Sequence, residues 1–272
     1  MTRLDGTRAV ITGAGGGLGR SLARALAARG GRVLVADINL VGAEETARLV
    51  EAAGGQAHAV RADVSDYDQV AGLAAEAERL WGGTDLLVNN AGVGIGGAIE
   101  NIPVDDWKWA VGVNFWGPVF GCRVFSPLFK QQRGGHILNV ASAAGLLSAP
   151  EMAPYNATKA AVVALSETLH AELAPFGVGV TVLCPTFFQT DILNSGRLHS
   201  RDGAAFAQKL MTRAKLQCDD VARLALEGVE AGTLYVVPHA DGRWLWRLKR
   251  LAPEPFYQLL PHLAKLRERV SR

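Results

Sequence analysis

Ala9-Val10-Ile11-Thr12-Gly13-Ala14-Gly15-Gly16-Gly17-Leu18-Gly19 is the stretch on which the fold of this 272-residue chain turns. An apolar run leads into a glycine-rich turn, and the turn opens into Leu18, Leu22 and Leu26 with Ala25 and Ala28, which recur at helical spacing. Strand, glycine turn and helix start are the setting in which a backbone can come close to a pyrophosphate held at a helix N-terminus. A glycine run alone also describes a flexible turn, so the rest of the chain has to decide.

Gly30-Gly31 ends this first helix, and Arg32-Val33-Leu34-Val35-Ala36 reads as a second strand that terminates in Asp37. A carboxylate at that tip can accept hydrogen bonds from both hydroxyls of a ribose and repels a 2′-phosphate, which favours NAD over NADP. It can equally cap the helix that begins near Val41. Ile38 and Asn39 offer no cation for a phosphate, and Arg20, in the first helical turn, is expected to point to solvent.

Strands and helices then alternate. Residues 56–61 read as a strand ending at Asp63-Val64, 66–80 as a helix, and 85–88 as a short buried strand running into Asn89-Asn90-Ala91-Gly92. A long helix over 105–130 carries Asn114, a strand over 136–140 ends at Ala141-Ser142, and a strand over 178–183 precedes Cys184-Pro185-Thr186. This alternation predicts an α/β fold: a Rossmann-type doubly wound parallel sheet in a three-layer α/β/α arrangement. Ligands of such sheets lie beyond the carboxyl ends of the strands. Most of the residues just named fall at those ends.

Between the last two strands lies Pro154-Tyr155-Asn156-Ala157-Thr158-Lys159. One helical turn puts the Tyr155 phenol and the Lys159 ammonium on the same face. A phenol titrates near pH 10, and a cation within about 4–6 Å lowers that value by favouring the phenolate. The same spacing also describes an aromatic ring capped by a solvated lysine.

Taken together, these residues resemble the short-chain dehydrogenase/reductase family. The matching motifs are the Thr-Gly-x-x-x-Gly-x-Gly turn at 12–19, Asn-Asn-Ala-Gly at 89–92, Asn114, Ser142, Tyr155 and Lys159, and Pro-x-x-x-x-Thr at 185–190. The likeness covers roughly residues 5–237, and motifs in this order are far more specific than any one of them. It implies interconversion of a secondary alcohol and a ketone with a nicotinamide cofactor. Tyr155 would act as general acid or base, Ser142 would hydrogen-bond the carbonyl oxygen, Lys159 would tune Tyr155 and bond the nicotinamide ribose, and Asn114 would hold a water linking Lys159 to solvent. For the cofactor it implies a cradle of Gly13, Gly17, Leu18 and Gly19, with Asp37 on the ribose. Asp63 and Val64 would lie beside adenine, Asn90 near its ribose and Thr190 on the carboxamide. Thr186 departs from the glycine usual after the proline. A homodimer or homotetramer is the usual assembly of such chains. The rival readings are a nucleotide-sensing protein without activity and a diol dehydrogenase built on the same groups; the joint presence of Asn114, Ser142, Tyr155 and Lys159 argues against the first.

Composition fits one catalytic domain over residues 1–242 with an extension over 243–272. No apolar segment reaches the roughly 18 residues of a membrane span, and Met1-Thr2-Arg3-Leu4-Asp5 lacks signal-peptide form, so a cytoplasmic location is expected. Cys122, Cys184 and Cys218 and the six histidines are scattered without metal-ligand spacing. Neither a metal nor a nucleic-acid partner is expected. Leu147, Met152, Phe187 and Phe188 are the candidates for an apolar pocket, which suggests a small hydrophobic ketone or secondary alcohol.

The extension has its own character. Eight basic residues between 243 and 272 face only Glu254 and Glu268, a local net of +6 in a chain of net +2, which leaves −4 for residues 1–242. Trp244, Leu248 and Leu251 share one helical face, and Leu259, Leu260, Leu263, Leu266 and Val270 another, with Pro261 starting the second helix. The spacing favours packing over the chain's own or a neighbouring subunit's active site. Contact with an anionic membrane surface is the alternative.

Overall fold

The computed structural model describes residues 2–259, apart from the Arg201 side chain. The strands are β1 (Arg8–Thr12), β2 (Arg32–Asp37), β3 (Gln56–Arg61), β4 (Leu86–Asn89), β5 (Ile95–Gly96), β6 (Gly135–Val140), β7 (Val178–Leu183), β8 (Arg197–Leu198) and β9 (Tyr235–Val236). The helices are α1 (Gly17–Ala27), α2 (Leu40–Ala52), α3 (Tyr67–Trp81), α4 (Val104–Val111), α5 (Gly117–Gln132), α6 (Ala143–Leu147), α7 (Ala153–Leu173), α8 (Arg201–Arg213), α9 (Cys218–Ala231) and α10 (Ala240–Leu251).

Seven strands form one sheet in the order β3-β2-β1-β4-β6-β7-β9, and every pairing in it is parallel. Alternate residues of its strands serve opposite layers, as the two-residue period requires. Ile11, Val33, Val35, Val88 and Leu138 pack with Leu18, Leu22 and Leu26 of α1 and with Val221, Ala225 and Val229 of α9. Val10, Leu34, Leu87, Ile137 and Val180 pack with Leu73 of α3, with Phe125 and Phe129 of α5, and with Leu173 of α7. Burial on both faces explains why the strands read as continuous apolar runs. Because β1 pairs with β2 on one side and β4 on the other, the strand order reverses there, and a crevice opens beyond their carboxyl ends.

Local chemistry sets the element ends. The Asp66 carboxylate caps α3 by accepting from Asp68 N at 2.9 Å and Gln69 N at 3.2 Å, and Gly82 closes the helix in the left-handed region. The helix expected over 105–130 runs from 104 to 132, with Gly112–Trp116 wound as a π-turn between α4 and α5. Such bulges often lie at functional sites, and this one carries Asn114.

The segment after Pro185 folds back over the crevice. Its strand β8 pairs in parallel with β5, matching Ile95 with Arg197 and Gly96 with Leu198. Asp106 at the start of α4 fastens it, accepting from Arg197 Nη1 at 2.6 Å and bonding His199 Nε2 at 2.8 Å. The Arg197 guanidinium beside Asp106, helped by His199, holds that carboxyl below the usual carboxylate range. Arg197 also lies 4.1 Å from the Trp109 ring centroid.

The extension begins inside α10, and residues 253–259 are again helical. Its Trp244, Leu248 and Leu251 face solvent, so the expected packing of that face onto the chain's own body does not occur. Gly242 and Trp246 face the body instead, because Trp246 finds the Tyr235 ring at 4.9 Å. The expected helix from Pro261 and its face of Leu260, Leu263, Leu266 and Val270 lie outside the described residues. Among the described residues no helix is long and apolar enough to cross a membrane.

Candidate active site

The glycine turn is built for close approach. Gly13 and Gly17 have φ of 62° and 50°, left-handed values that favour glycine. A Cβ on Gly13 would stand 2.6 Å from Ala91 Cα, and one on Gly19 would stand 2.7 Å from Asn90 Nδ2. The turn is therefore pressed against the segment that follows β4. Asn90 Nδ2 donates to Thr12 O at 2.9 Å and Gly13 O at 2.8 Å, while Thr12 Oγ1 accepts from Asn90 N at 3.1 Å and Ala91 N at 3.2 Å. The Asn90 amide thus holds the turn in which the cofactor is expected to sit. Leu18 likewise sends its side chain into the core and leaves only its backbone to the cradle.

Asp37 sits directly beneath this turn. Its Oδ2 accepts from Gly15 N at 2.8 Å and its Oδ1 from Asn39 N at 2.8 Å. Each carboxylate oxygen keeps acceptor capacity for a further hydroxyl. Arg20 does not point to solvent as expected: Nε donates to Thr46 Oγ1 at 2.9 Å and Nη2 to Gly15 O at 2.6 Å, locking the turn to α2. The N-terminus of α1 has no side-chain cap and no acidic residue in its first turn, which leaves its N–H groups and positive dipole end to an anion. These features fit a dinucleotide, with pyrophosphate over the turn and a ribose on Asp37. Thr190 closes the other side, its Cβ 3.7 Å from where a Cβ on Gly17 would stand. Asp63 turns inward on its own loop, accepting from Ser65 N at 2.9 Å and Ser65 Oγ at 2.7 Å, and Val64 is buried beside Gly117.

Across the crevice, Ser142 at the end of β6 is the N-cap of α6. Its Oγ accepts from Ala144 N at 3.1 Å and donates to Pro185 O at a long 3.4 Å, a bond that a substrate oxygen can replace. Tyr155 on α7 lies beside Ser142, and its side chain packs on the cluster of Ile95, Ile102 and Ala110, as Trp107 and Trp109 also do. Lys159 is buried behind it, with Nζ donating to Val140 O at 2.9 Å and lying 5.8 Å from the Tyr155 ring centroid. Burial pushes the Tyr155 pKa up, opposed by the nearby Ser142 hydroxyl, so the expected lowering by Lys159 is not what dominates. Burial also pushes Lys159 down to about 8, and Cys184, whose thiol is itself pushed up to about 12, stands beside it.

Asn114 is fully buried, and both halves of its amide bond one residue: Oδ1 accepts from Val93 N at 2.8 Å and Nδ2 donates to Val93 O at 2.9 Å. Oδ1 keeps a second lone pair and Nδ2 a second N–H beyond these two bonds. A Cβ on Gly92 would meet Asn114 Oδ1 at 3.2 Å and Lys159 Nζ at 3.3 Å, so Asn114 holds the 89–93 segment against Lys159.

The four apolar pocket candidates do not form one wall. Leu147 packs with Val163 and Trp246 under α10, and Phe188 packs on the core with its ring 6.2 Å from that of His239. Met152 is the N-cap residue of α7, and Phe187 is exposed.

Other contributors escaped sequence reading. Gly145 lets α6 lie against the Lys159 backbone. Thr186 N donates to His239 Nδ1 at 3.3 Å, and a Cβ on Gly242 would meet the Thr186 methyl at 2.7 Å. The residue that departs from the family pattern is thus housed by a glycine of α10. Among the described residues no cluster of three or more His, Cys, Asp or Glu could hold a metal ion.

A glycine cradle over an acid at the β1/β4 switch point, facing a Ser-Tyr-Lys group across the same crevice, is an arrangement suited to holding a dinucleotide beside a proton-transfer group. Comparison with known proteins narrows the class. The family model described as short chain dehydrogenase matches residues 7–200, and the chain belongs to that family. It is 37% identical over 191 residues to the probable oxidoreductase EphD of Mycobacterium tuberculosis, covering 70% of this chain but only 32% of that protein, so it spans about a third of that relative's length. It is 30% identical over 264 residues to the putative oxidoreductase SadH of the same organism, covering 96% of both. A short chain dehydrogenase/reductase from Burkholderia phymatum, solved in complex with NAD, superposes with a TM-score of 0.88 at 38% identity, covering 93% of this chain and 96% of that one.

Proposed function

We propose that the chain is an NAD(H)-dependent oxidoreductase that interconverts a secondary alcohol and a ketone, with a small hydrophobic substrate. The observation that carries this reading is the grouping of Ser142, Tyr155 and buried Lys159, with Lys159 Nζ 5.8 Å from the Tyr155 ring centroid, across the crevice from the glycine cradle. When bound, the nicotinamide would supply or accept the hydride at the carbonyl carbon.

The chain's own groups manage the oxygen and its proton. Burial keeps Tyr155 protonated at neutral pH, as a proton donor to a carbonyl oxygen must be. With a pKa of about 8, Lys159 is mostly cationic at pH 7 and supports the phenolate left after that transfer. Ser142 offers its hydroxyl to the same oxygen and stabilises charge gathering there. Asn114 acts by position, fixing the segment that backs Lys159. Asp37 supports NAD over NADP, since a 2′-phosphate would be driven against a carboxylate already fixed by Gly15 N and Asn39 N. The apolar cluster of Ile95, Ile102 and Ala110, on which Tyr155, Trp107 and Trp109 all pack, supports an apolar substrate, with Met152 and Phe187 as the remaining pocket candidates.

Tyr155→Phe tests the reading on a panel of ketones and alcohols assayed with NAD(H) and NADP(H). Turnover is expected to fall by about 10²–10⁴ while NADH binding persists. Undiminished turnover in that variant would overturn the mechanism.

A further inference from the structure

Helix α10 presents two parallel rows to solvent. Trp244, Leu248 and Leu251 recur at i, i+4 and i+7 and are 72%, 40% and 85% exposed. Arg243, Arg247 and Arg250, all exposed, repeat the same spacing one residue earlier and flank that crest. Leu245, Tyr257 and Leu259 add exposed apolar surface nearby.

This helix is a braced platform. Lys249 Nζ donates to Leu146 O at 2.6 Å, and Arg243 Nη1 donates to Val237 O at 2.8 Å and Pro238 O at 2.6 Å. Trp246 is seated against Tyr235 on the opposite side. The crest therefore cannot turn inward without breaking the contacts of the other face.

We propose that the outer face of α10 docks the protein on an anionic lipid bilayer, with Trp244, Leu248 and Leu251 at the acyl boundary and Arg247 and Arg250 at headgroup phosphates. An apolar crest edged by arginines is the pattern of a helix lying in the plane of a membrane interface. Charge selects the sign of that surface. Residues 243–272 carry a net +6 and the rest of the chain −4, so the molecule's own field turns this end toward an anionic bilayer. A second copy seated through the same face would bring Arg247 and Arg250 of both subunits together across an isologous contact, where like charges repel. A nucleic acid would take the arginines and leave the crest in water.

The test uses the full chain and sedimentable vesicles of phosphatidylcholine alone or with about one-third phosphatidylglycerol, at low and high salt. The wild type is expected to pellet with the anionic vesicles only, and less so in high salt. Arg247→Glu with Arg250→Glu is expected to weaken partitioning about thirtyfold or more, since each basic residue near the surface contributes about fivefold. Trp244→Ser with Leu248→Ser and Leu251→Ser removes the crest, and Leu251→Ser alone serves if circular dichroism shows the triple variant unfolded. Failure of the wild type to pellet, or a crest variant that pellets as well as wild type, overturns the proposal. So does a crest variant that turns an oligomer into monomers in solution while wild type ignores the vesicles, which makes the occupant a second copy.

Discussion

Gly145→Ala probes whether the Ser142 position is set by the contact between α6 and α7. A Cβ at Gly145 would stand 2.6 Å from both the carbonyl carbon and oxygen of Lys159 and 2.8 Å from Ala160 N. Ordinary contact needs roughly 3.5 Å, so the two helices must part by about 0.9 Å. The five-residue α6 yields before the twenty-one-residue α7, whose Val162, Ser166 and Leu173 are buried. Ser142, as the N-cap of α6, moves with it. Displacing a catalytic group by about 1 Å costs roughly 10²-fold in rate, and the overpacking costs about 1–3 kcal/mol of stability. Steady-state turnover on an accepted ketone should therefore drop about 10²-fold, while NADH binding by fluorescence changes little because the glycine turn is at the other wall. If Gly145→Ala keeps turnover within about threefold of wild type and melts at the same temperature, this account of Ser142 is wrong.

Gly72 supplies the opposite case. In α3 a Cβ there meets nothing within 4 Å, so Gly72→Ala should stabilise by about 0.5–1 kcal/mol in urea unfolding, and a loss of stability would contradict the open space. His136 is fully buried between Thr2 Oγ1 and Thr181 Oγ1, near His170, and burial pushes its pKa down to about 4. The unfolded chain binds that proton near pH 6.5, so the stability is fully present above 6.5 and falls as pH drops to about 4, by about 3 kcal/mol in all. His136→Gln should lack this component, and parallel pH–stability curves for the two proteins would refute it. Asp37→Ser removes the carboxylate that a 2′-phosphate would meet, and the NAD-to-NADP ratio of kcat/KM should shift toward NADP by about 10- to 100-fold. An unchanged ratio would place cofactor choice elsewhere.

The sheet and the glycine turn were legible because their signals are local. Ala9, Val10 and Ile11 followed by Gly13 state a strand and a turn within a few residues, and Leu18, Leu22 and Leu26 state a buried helix face, all as found. Asn114, Ser142, Tyr155 and Lys159 could be named because motif spacing names residue types. What each atom does could not be read that way. The phenol's pKa depends on how much water surrounds Tyr155, and the amide of Asn114 is paired with Val93 from within a π-turn that no periodicity announces. Arg20 looked solvated because a helix's first turn usually is, yet Thr46 lies across from it on α2.

Thr186 shows the same limit in its sharpest form. Read along the chain, a threonine where related chains carry glycine puts the loop after β7 in conflict with a close backbone approach. In space the methyl group has a berth, because Gly242 lies opposite it and His239 takes the Thr186 N–H. Those two residues belong to the start of α10 and the residue before it, more than fifty positions downstream, and neither matches a motif. Lys249 of the same helix donates to Leu146 O in α6, the helix that Ser142 caps. Helix α10 and the residue before it thus support both loops that bound the crevice on the Ser142 side. Its inward face is constrained by that support, and the outward row of Trp244, Leu248 and Leu251 is therefore available for contact with another surface.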